Sequence, residues 1–260
     1  MKFDELDTKM RIFETAHDHC VLPGLFMVAR LDGRNFTRLT RELCDFEAPF
    51  DVRFRDMMTS TVEYLMQCGF RVVYGYTQSD EISLLFHREI DVFQRKLRKY
   101  NSVLAGEASA KFSILLGQPG CFDCRISQFP GLEQVYDYFL WRSEDAHRNA
   151  LNGHCYWLLR KEGETPEAAA KVLFGMSVPE KNELLFDRGV NFNDIPAWQK
   201  RGAGVYWETY QKQGLNPVTG EPAQAERQRL KVDLDLPLKD NYVRLLQRLI
   251  AASDGPKERV

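Results

Sequence analysis

Along this 260-residue chain the apolar positions switch between periods near two and periods near 3.6, and the switches mark its elements. LFMVARL (25–31) is almost wholly apolar, as expected of a strand covered on both faces. In RVVYGYTQSDEISLLF (71–86), two apolar runs, Val72 to Tyr76 and Ile82 to Phe86, flank Thr77-Gln78-Ser79-Asp80-Glu81, so the stretch reads as a hairpin and its turn. FDCRISQF (122–129) reads as a fourth strand. Phe54, Met57, Met58, Thr61, Leu65 and Met66 share one helix face, with Pro49 in the first turn and an end near Cys68. A longer helix is predicted over 89–116, with Ile90, Phe93, Leu97, Tyr100, Leu104 and Phe112 on its stripe and Gly117 and Pro119 ending it. MKFDELDTKMRIFETAHDH predicts an N-terminal helix.

The resulting order is β-α-β-β-α-β, a ferredoxin-like α+β arrangement. Polymerase palms, nucleotide cyclases and many RNA-binding modules share it, so the fold alone selects no function. From residue 131 onward the pattern turns helical: LEQVYDYFLWRSEDAHRNALNGHCYWLLRK, TPEAAAKVLFGM and VPEKNELLFDRG. A hairpin is expected at WQKRGAGVYWETY, with Gly202 and Gly204 in or beside its turn. The Pro/Gly-rich segment 214–222 is expected to be a flexible loop, the pattern thins after it, and DNYVRLLQRLIAA closes the chain as a helix. Two parts follow: a palm-like catalytic core with its N-terminal helix (1–130) and a helical and hairpin part packed on it (131–260). The length is equally compatible with one continuous domain.

Composition narrows the class without choosing it. Apolar residues make up 44% of the chain and charged residues 28%, and the net charge of −2 excludes a uniformly basic protein. Any nucleic-acid binding must therefore gather positive charge locally. No stretch reaches the length of a membrane span, and MKFDELDTKMRIFE lacks a signal peptide's apolar core, so a cytoplasmic location is expected. Six cysteines fit reduced thiols there. Cys121 and Cys124 have metal-ligand spacing, but no second pair completes a zinc site.

Candidate chemistry centres on acids. In a βαββαβ fold the first and third strands are central neighbours, which brings Asp32, at the end of the first, toward Asp80 and Glu81 in the hairpin. Two like charges at ~4 Å and an effective dielectric near 20 repel by about 4 kcal/mol. A divalent cation relieves that repulsion, and hard oxygens on rigid strands with positions left for phosphate suit Mg²⁺. Two such ions could serve the attacking and leaving oxygens of a phosphoryl transfer. Asp-Glu in a turn is ordinarily just solvated, and Asp-Gly is a common turn dipeptide; their joint placement is the signal.

Backbone amides of loop 32–37 (Asp32, Gly33, Arg34, Asn35, Phe36, Thr37) can face a triphosphate, although the loop lacks a Walker A GKS/T, and Ser79 can add a hydrogen bond. Arg95, Lys96, Arg98 and Lys99, at the start of the long helix, are expected near the acids and ready for nucleotide phosphates. A solvated helix face is the plainer reading of the same charges.

RLDGRNF (30–36) followed by QSDEISLLF (78–86) resembles the metal-binding pair of the tRNA-His guanylyltransferase superfamily, the 3′-to-5′ polymerases. DYFLWRSEDAHRNALN (137–152) is similar to that family's DYxxWRxxDxHxNNL segment, and EKNELLF (180–186) to its DKNEILF. The resemblance implies a two-metal palm with Asp32, Asp80 and the Gly33 carbonyl as ligands and Glu81 beside them as a third catalytic carboxylate. It places the triphosphate of GTP or another NTP on loop 32–37, Ser79 and Asp80, and an activating nucleotide at Arg95, Lys96 and Lys99. His147, Asn149, Lys181 and Asn191 match further functional positions, although a lone helical histidine such as His147 is more often a packing residue. The implied reaction is adenylylation of a tRNA 5′-monophosphate by ATP, then attack by the 3′-hydroxyl of an incoming NTP; a homotetramer, a dimer of dimers, is implied for holding tRNA. HRNALNG departs from the eukaryotic HINNLYN at Ala150 and Asn152, and Ala48 replaces a frequent lysine. These departures resemble the bacterial and archaeal branch that repairs 5′-truncated tRNA by templated addition.

Two other classes share parts of this pattern. A palm-type nucleotide cyclase would use the same acids but leave the C-terminal half without a role. A non-catalytic RNA-binding module would show exposed aromatics on its central strands, where Ile82-Ser83-Leu84-Leu85-Phe86 stands instead.

Overall fold

The computed structural model describes residues 2–215 and 222–254. Helix α1 (Phe3–Thr15) leads into β1 (Phe26–Gly33), a single turn α2 (Phe36–Arg38), α3 (Val52–Leu65), β2 (Val72–Gln78), β3 (Glu81–Phe86), α4 (Leu97–Leu116) and β4 (Phe122–Phe129). The second half runs α5 (Leu132–Lys161), α6 (Pro166–Leu173), α7 (Val178–Phe186), α8 (Ala197–Arg201), β5 (Ala203–Leu215), β6 (Pro222–Asp233) and α9 (Lys239–Ser253). All six strands form one antiparallel sheet in the order β4-β1-β3-β2-β5-β6.

β1 is buried nearly throughout because both faces of the sheet are covered. Met27, Ala29 and Leu31 point into a core shared with α3 and α4, including Met58, Val62, Leu104 and Phe112. Phe26 and Val28 point the other way, into a core with Phe139 of α5 and Leu246 of α9. A third cluster, around Leu151, Leu159, Leu173 and Leu185, joins the far half of α5 to α6 and α7. Tyr74 and Tyr76 of β2 are buried in the second core, so no exposed aromatic platform remains on those strands for an RNA-binding module of the RRM type.

Several elements differ from expectation. The helix after the first strand begins at Val52, where the Asp51 side chain caps it by accepting from Arg53 N, so Pro49 precedes the cap. The long helix begins only at Leu97, because Phe93, Gln94 and Arg95 take φ of 53°, 55° and 58°, a left-handed turn that no right-handed helix can include. Gly202 and Gly204 lie in no hairpin turn. Gly202 ends α8 at φ 78°, and a Cβ there would stand 2.5 Å from the Thr77 carbonyl oxygen. β5 then pairs with β2 on one side and along its length with β6 on the other. The C-terminal half therefore adds two strands to the sheet as well as helices. The segment 216–221, the centre of the expected flexible loop, lies outside the described residues. Among the described residues no helix is long and apolar enough to cross a membrane.

Candidate active site at the carboxylate end of the sheet

The hairpin turn consists of two residues, Ser79 and Asp80, between the paired Gln78 and Glu81. Ser79 supplies the positive φ (52°) that such short connections need. Thr77 Oγ1 donates to the Glu81 carbonyl at 2.8 Å and closes the turn. Glu81 is in register with Asp32, and the Gly33 amide donates to the Asp80 carbonyl at 3.0 Å. Backbone bonds thus lash the end of β1 to the turn, and Asp32 and Asp80 arrive together from 48 residues apart. Burial pushes the Asp80 carboxyl up to about 6; negative Asp32 and Glu81 add to the rise, while its own amide and Ser79 oppose it. Among the described residues, neither Asp32 nor Asp80 has an ion-pair partner.

Glu81 is placed differently. Its side chain leaves the same face as Asp32, toward α5, where its carboxylate accepts from Arg142 Nη2. That guanidinium also donates to Asp145 Oδ2 at 3.2 Å, is nearly buried, and lies 4.7 Å from the centroid of Trp141. Glu81 is thus neutralised rather than shared with Asp32 and Asp80, and among the described residues no three acidic, His or Cys side chains converge as a metal-ligating set. Two uncompensated carboxylates on rigid backbone fit Mg²⁺, which takes one or two carboxylates and completes its shell with water and phosphate oxygens.

The loop after β1 is built around Phe36. Its ring is buried 5.0 Å from both Phe112 and Phe122, and a Cβ on Gly33 would stand 2.5 Å from it. Only glycine lets the strand end pass that close. The Phe36 side chain therefore anchors the loop, leaving contact with a ligand to the backbone. Arg34 N is taken by the Cys121 carbonyl at 2.8 Å. Asn35 is left-handed (φ 60°), and the amides of Asn35, Phe36 and Thr37 meet no acceptor among the described residues. Successive free amides of this kind favour an anion.

Beside Ser79 lies a cavity of about 100 Å³, lined by Phe46, Phe50, Asp51 and Trp198 among others. Sequence reasoning missed these four. The aromatic spacing in FEAPFD was the available signal for the first two, and nothing local links Trp198 to them. Hydrogen bonds from the Arg53 guanidinium, above all, and from the amides of Glu47 and Arg53 hold the Asp51 carboxyl down to about 2. α8 closes this side, with Gln78 Nε2 donating to the Gln199 carbonyl at 3.1 Å.

The basic group expected beside the acids lies elsewhere. Arg95 is buried and donates to the carbonyls of Leu25, Arg88 and Ile90 at 2.6, 3.0 and 3.1 Å. Lys96 and Arg98 both pair with Asp18, and the Lys99 ammonium lies 5.8 Å from the Phe93 ring centroid. Leu25 immediately precedes β1 and Asp32 is near its end, roughly 20 Å apart along an extended chain. β3 runs antiparallel to β1, so its exit toward Arg95 is the end remote from Asp32. His147 and Asn149 sit on α5 about one and a half and about two turns beyond Arg142. His147 packs on Phe192 (5.4 Å between rings), and burial lowers its pKa. The Lys181 carbonyl accepts from Cys155 Sγ, and the Asn191 side chain caps the turn at Phe192. These four gather around the far half of α5, and the exposed Asn149 also donates to Asp145 Oδ2, the second partner of Arg142.

Unpaired acids lashed to a turn, with free amides on one side and a small aromatic cavity on the other, are equipment for holding nucleotide phosphates through a cation, the business of a nucleotide-handling enzyme. Comparison with known proteins agrees. A family model described as tRNAHis guanylyltransferase matches residues 7–130, and one described as the Thg1 C terminal domain matches 133–241. The probable tRNA(His) guanylyltransferase of Mus musculus is 31% identical over 86% of this chain and 77% of its own length. A bacterial tRNA(His) guanylyltransferase (Thg1)-like protein solved with ATP superposes with a TM-score of 0.74 at 25% identity, covering 94% of this chain and 98% of that one; a structure with GTP gives 0.72, again at 25% identity, over 95% and 99%. The chain belongs to the tRNA(His) guanylyltransferase family and is a nucleotidyltransferase.

Proposed function

We propose that this chain adds nucleotides in the 3′-to-5′ direction to the 5′ end of tRNA, on a palm formed by β1 to β4 with Asp32 and Asp80 at its centre. The uncompensated pair at the strand end carries this reading, supported by family membership and by the GTP and ATP named for the neighbouring structures. Asp32, Asp80 and the Gly33 carbonyl would hold Mg²⁺, as two ions. Bound there, magnesium would supply charge neutralisation at the phosphoryl oxygens and favour the attacking hydroxyl.

The remaining work falls to this chain's own groups. The free amides of Asn35, Phe36 and Thr37 orient the triphosphate, with Ser79 adding a donor. The neighbouring cavity takes the base between its aromatic walls, excluding water on that side. Arg142 neutralises the third negative charge, on Glu81, beside the pair. With the parts fixed on strands, positioning supplies much of the rate. ATP first adenylylates a 5′-monophosphate end, releasing pyrophosphate; the 3′-hydroxyl of the incoming NTP then attacks that phosphorus and AMP leaves. A 5′-triphosphate end enters at the second step and releases pyrophosphate.

Because Lys96 and Lys99 lie at the end of the sheet remote from Asp32, they are proposed to serve an activating nucleotide at the carboxylate pair of a neighbouring copy, and a dimer of dimers would also offer tRNA a surface larger than one chain. Incubating the protein with 5′-truncated tRNA and each NTP in turn tests the proposal through product lengths. Templated extension supports it; cyclic nucleotide formed without RNA would replace it with a cyclase.

A further inference from the structure

A second concavity lies on the far side of Pro49 from the active-site cavity. It is a groove of about 390 Å³ between α5, the start of α6 and the turn after α2, lined by Arg41, Asn149, Asn152, Gly153, Tyr156 and Trp157 among others. The Arg41 guanidinium carbon lies 5.4 Å from the Trp157 ring centroid and 5.9 Å from that of Tyr156. Arg41 pairs with no carboxylate among the described residues, whereas Arg38, one turn earlier, pairs with Glu42. The two rings meet edge to face at 86°. The exposed Asn152 side chain forms no hydrogen bond among the described residues, and Asn149 uses only its amide nitrogen, toward Asp145.

Groove and cavity share a wall. A Cβ on Gly153 would stand 3.7 Å from Pro49 Cβ, and Pro49 lines the cavity beside Ser79. Thr40 faces the cavity and Arg41, the next residue, faces the groove. A polynucleotide end held at the carboxylates would reach the groove with a nucleotide a short step away.

A planar cation over aromatic rings, with free amide edges beside it, is how proteins hold an unstacked base. A phosphate group alone would find one cation and no ring of donors, and an acidic peptide would leave the aromatic surface unmatched. We propose that this groove binds an unpaired base of the RNA substrate, stacked on the Trp157 ring and walled by the Tyr156 ring, beside the Arg41 guanidinium and read at its edge by the Asn149 and Asn152 amides. The proposal rests on the RNA-extending function proposed above.

The test uses the full chain and a 5′-truncated tRNA carrying thiouridine in its unpaired terminal nucleotides, photo-crosslinked and mapped by peptide sequencing, with tRNA affinity measured by anisotropy. The crosslink is expected on Tyr156 or Trp157. Trp157→Leu and Arg41→Ala should each weaken tRNA binding about tenfold, the order of one lost stacking contact, while Trp157→Phe stays within about twofold of wild type. KM for tRNA should rise in the two weakened variants, with kcat at saturating tRNA and KM for GTP unchanged. If Trp157→Leu does not fold, Arg41→Ala decides alone, since that guanidinium lies beside the two rings and makes no ion pair among the described residues.

Unchanged tRNA affinity in Arg41→Ala, or a crosslink mapping outside the groove in an active enzyme, overturns the proposal. So does complete protection of the crosslink by GTP without loss of tRNA binding, which would give the groove to a free nucleotide. A groove crosslink in a protein that extends no RNA would instead leave the groove standing and remove the functional reading beneath it.

Discussion

The two ends of β1 treat charge in opposite ways. At its start, Arg98, the larger influence, and Lys96 hold the Asp18 carboxyl down to about 2, and Arg95 gives its donors to three backbone carbonyls. At its far end, Asp32 and Asp80 stand without a cation, and Asp80 is pushed up to about 6. A fold neutralises the charges it uses as scaffolding, because unpaired buried charge is expensive. Charges left uncompensated are the ones kept for a ligand. The same distinction separates Glu81, tied to Arg142, from its sequence neighbour Asp80.

Substitutions can break or sharpen that contrast. The largest effect is expected at the unpaired end: Asp32→Ala or Asp80→Ala should cut nucleotide addition about a thousandfold or more, as several kcal/mol of charge stabilisation disappears. Thermal melting should show both variants folded. Wild-type activity in either, with Mg²⁺ present, would break the contrast outright.

Next in size is Arg142→Met, which strands the Glu81 carboxylate. Stability should fall by about 3 kcal/mol in urea denaturation, the cost of removing one partner of a largely buried pair. A neutral result would mean that Glu81 reaches water unaided.

A smaller effect carries a sign. The Asp80 pKa is raised in the folded protein, so its favourable contribution is complete below the ordinary value of 3.8 and is lost as pH climbs through 6. Asp80→Asn should therefore stabilise the metal-free protein by on the order of 3 kcal/mol well above pH 6, with the gain vanishing below about pH 4. Mg²⁺ should raise the wild-type melting temperature at about pH 7.5 and leave it unmoved near pH 4, where protons occupy the site instead. A gain independent of pH would assign the effect to something other than charge.

The smallest change is expected from Lys99→Ala, under about 0.5 kcal/mol of stability, since its ammonium only borders the Phe93 ring. If addition to 5′-monophosphate tRNA drops while addition to 5′-triphosphate tRNA holds, the basic end handles a nucleotide as well as bracing the fold. Equal losses on both would remove that role.

Much of this was legible in the chain. The predicted span of α5, 132–161, matches the observed helix end to end, and the pairing of the first and third strands brought Asp32 to Asp80. The errors have physical causes. Arg95 and Lys96 follow the hairpin closely in sequence, but an antiparallel strand carries the chain a strand's length away from its own turn. Apolar spacing continues through Phe93 while the backbone turns left-handed, which periodicity cannot register. β6 was missed because most of its described residues are exposed, with only Leu230 and Val232 packing on the first core. The bond from Arg142 to Glu81 spans 61 positions and has no local signature.

Manganese uptake followed by electron paramagnetic resonance, with GTP present, tests the central claim most directly, comparing wild type with Asp32→Asn and Asp80→Asn. Wild type should bind the ion tightly, and each variant should lose at least one bound ion while remaining folded. If all three proteins bind manganese alike, the carboxylate pair is not the cation site and this account of the sheet's far end is contradicted.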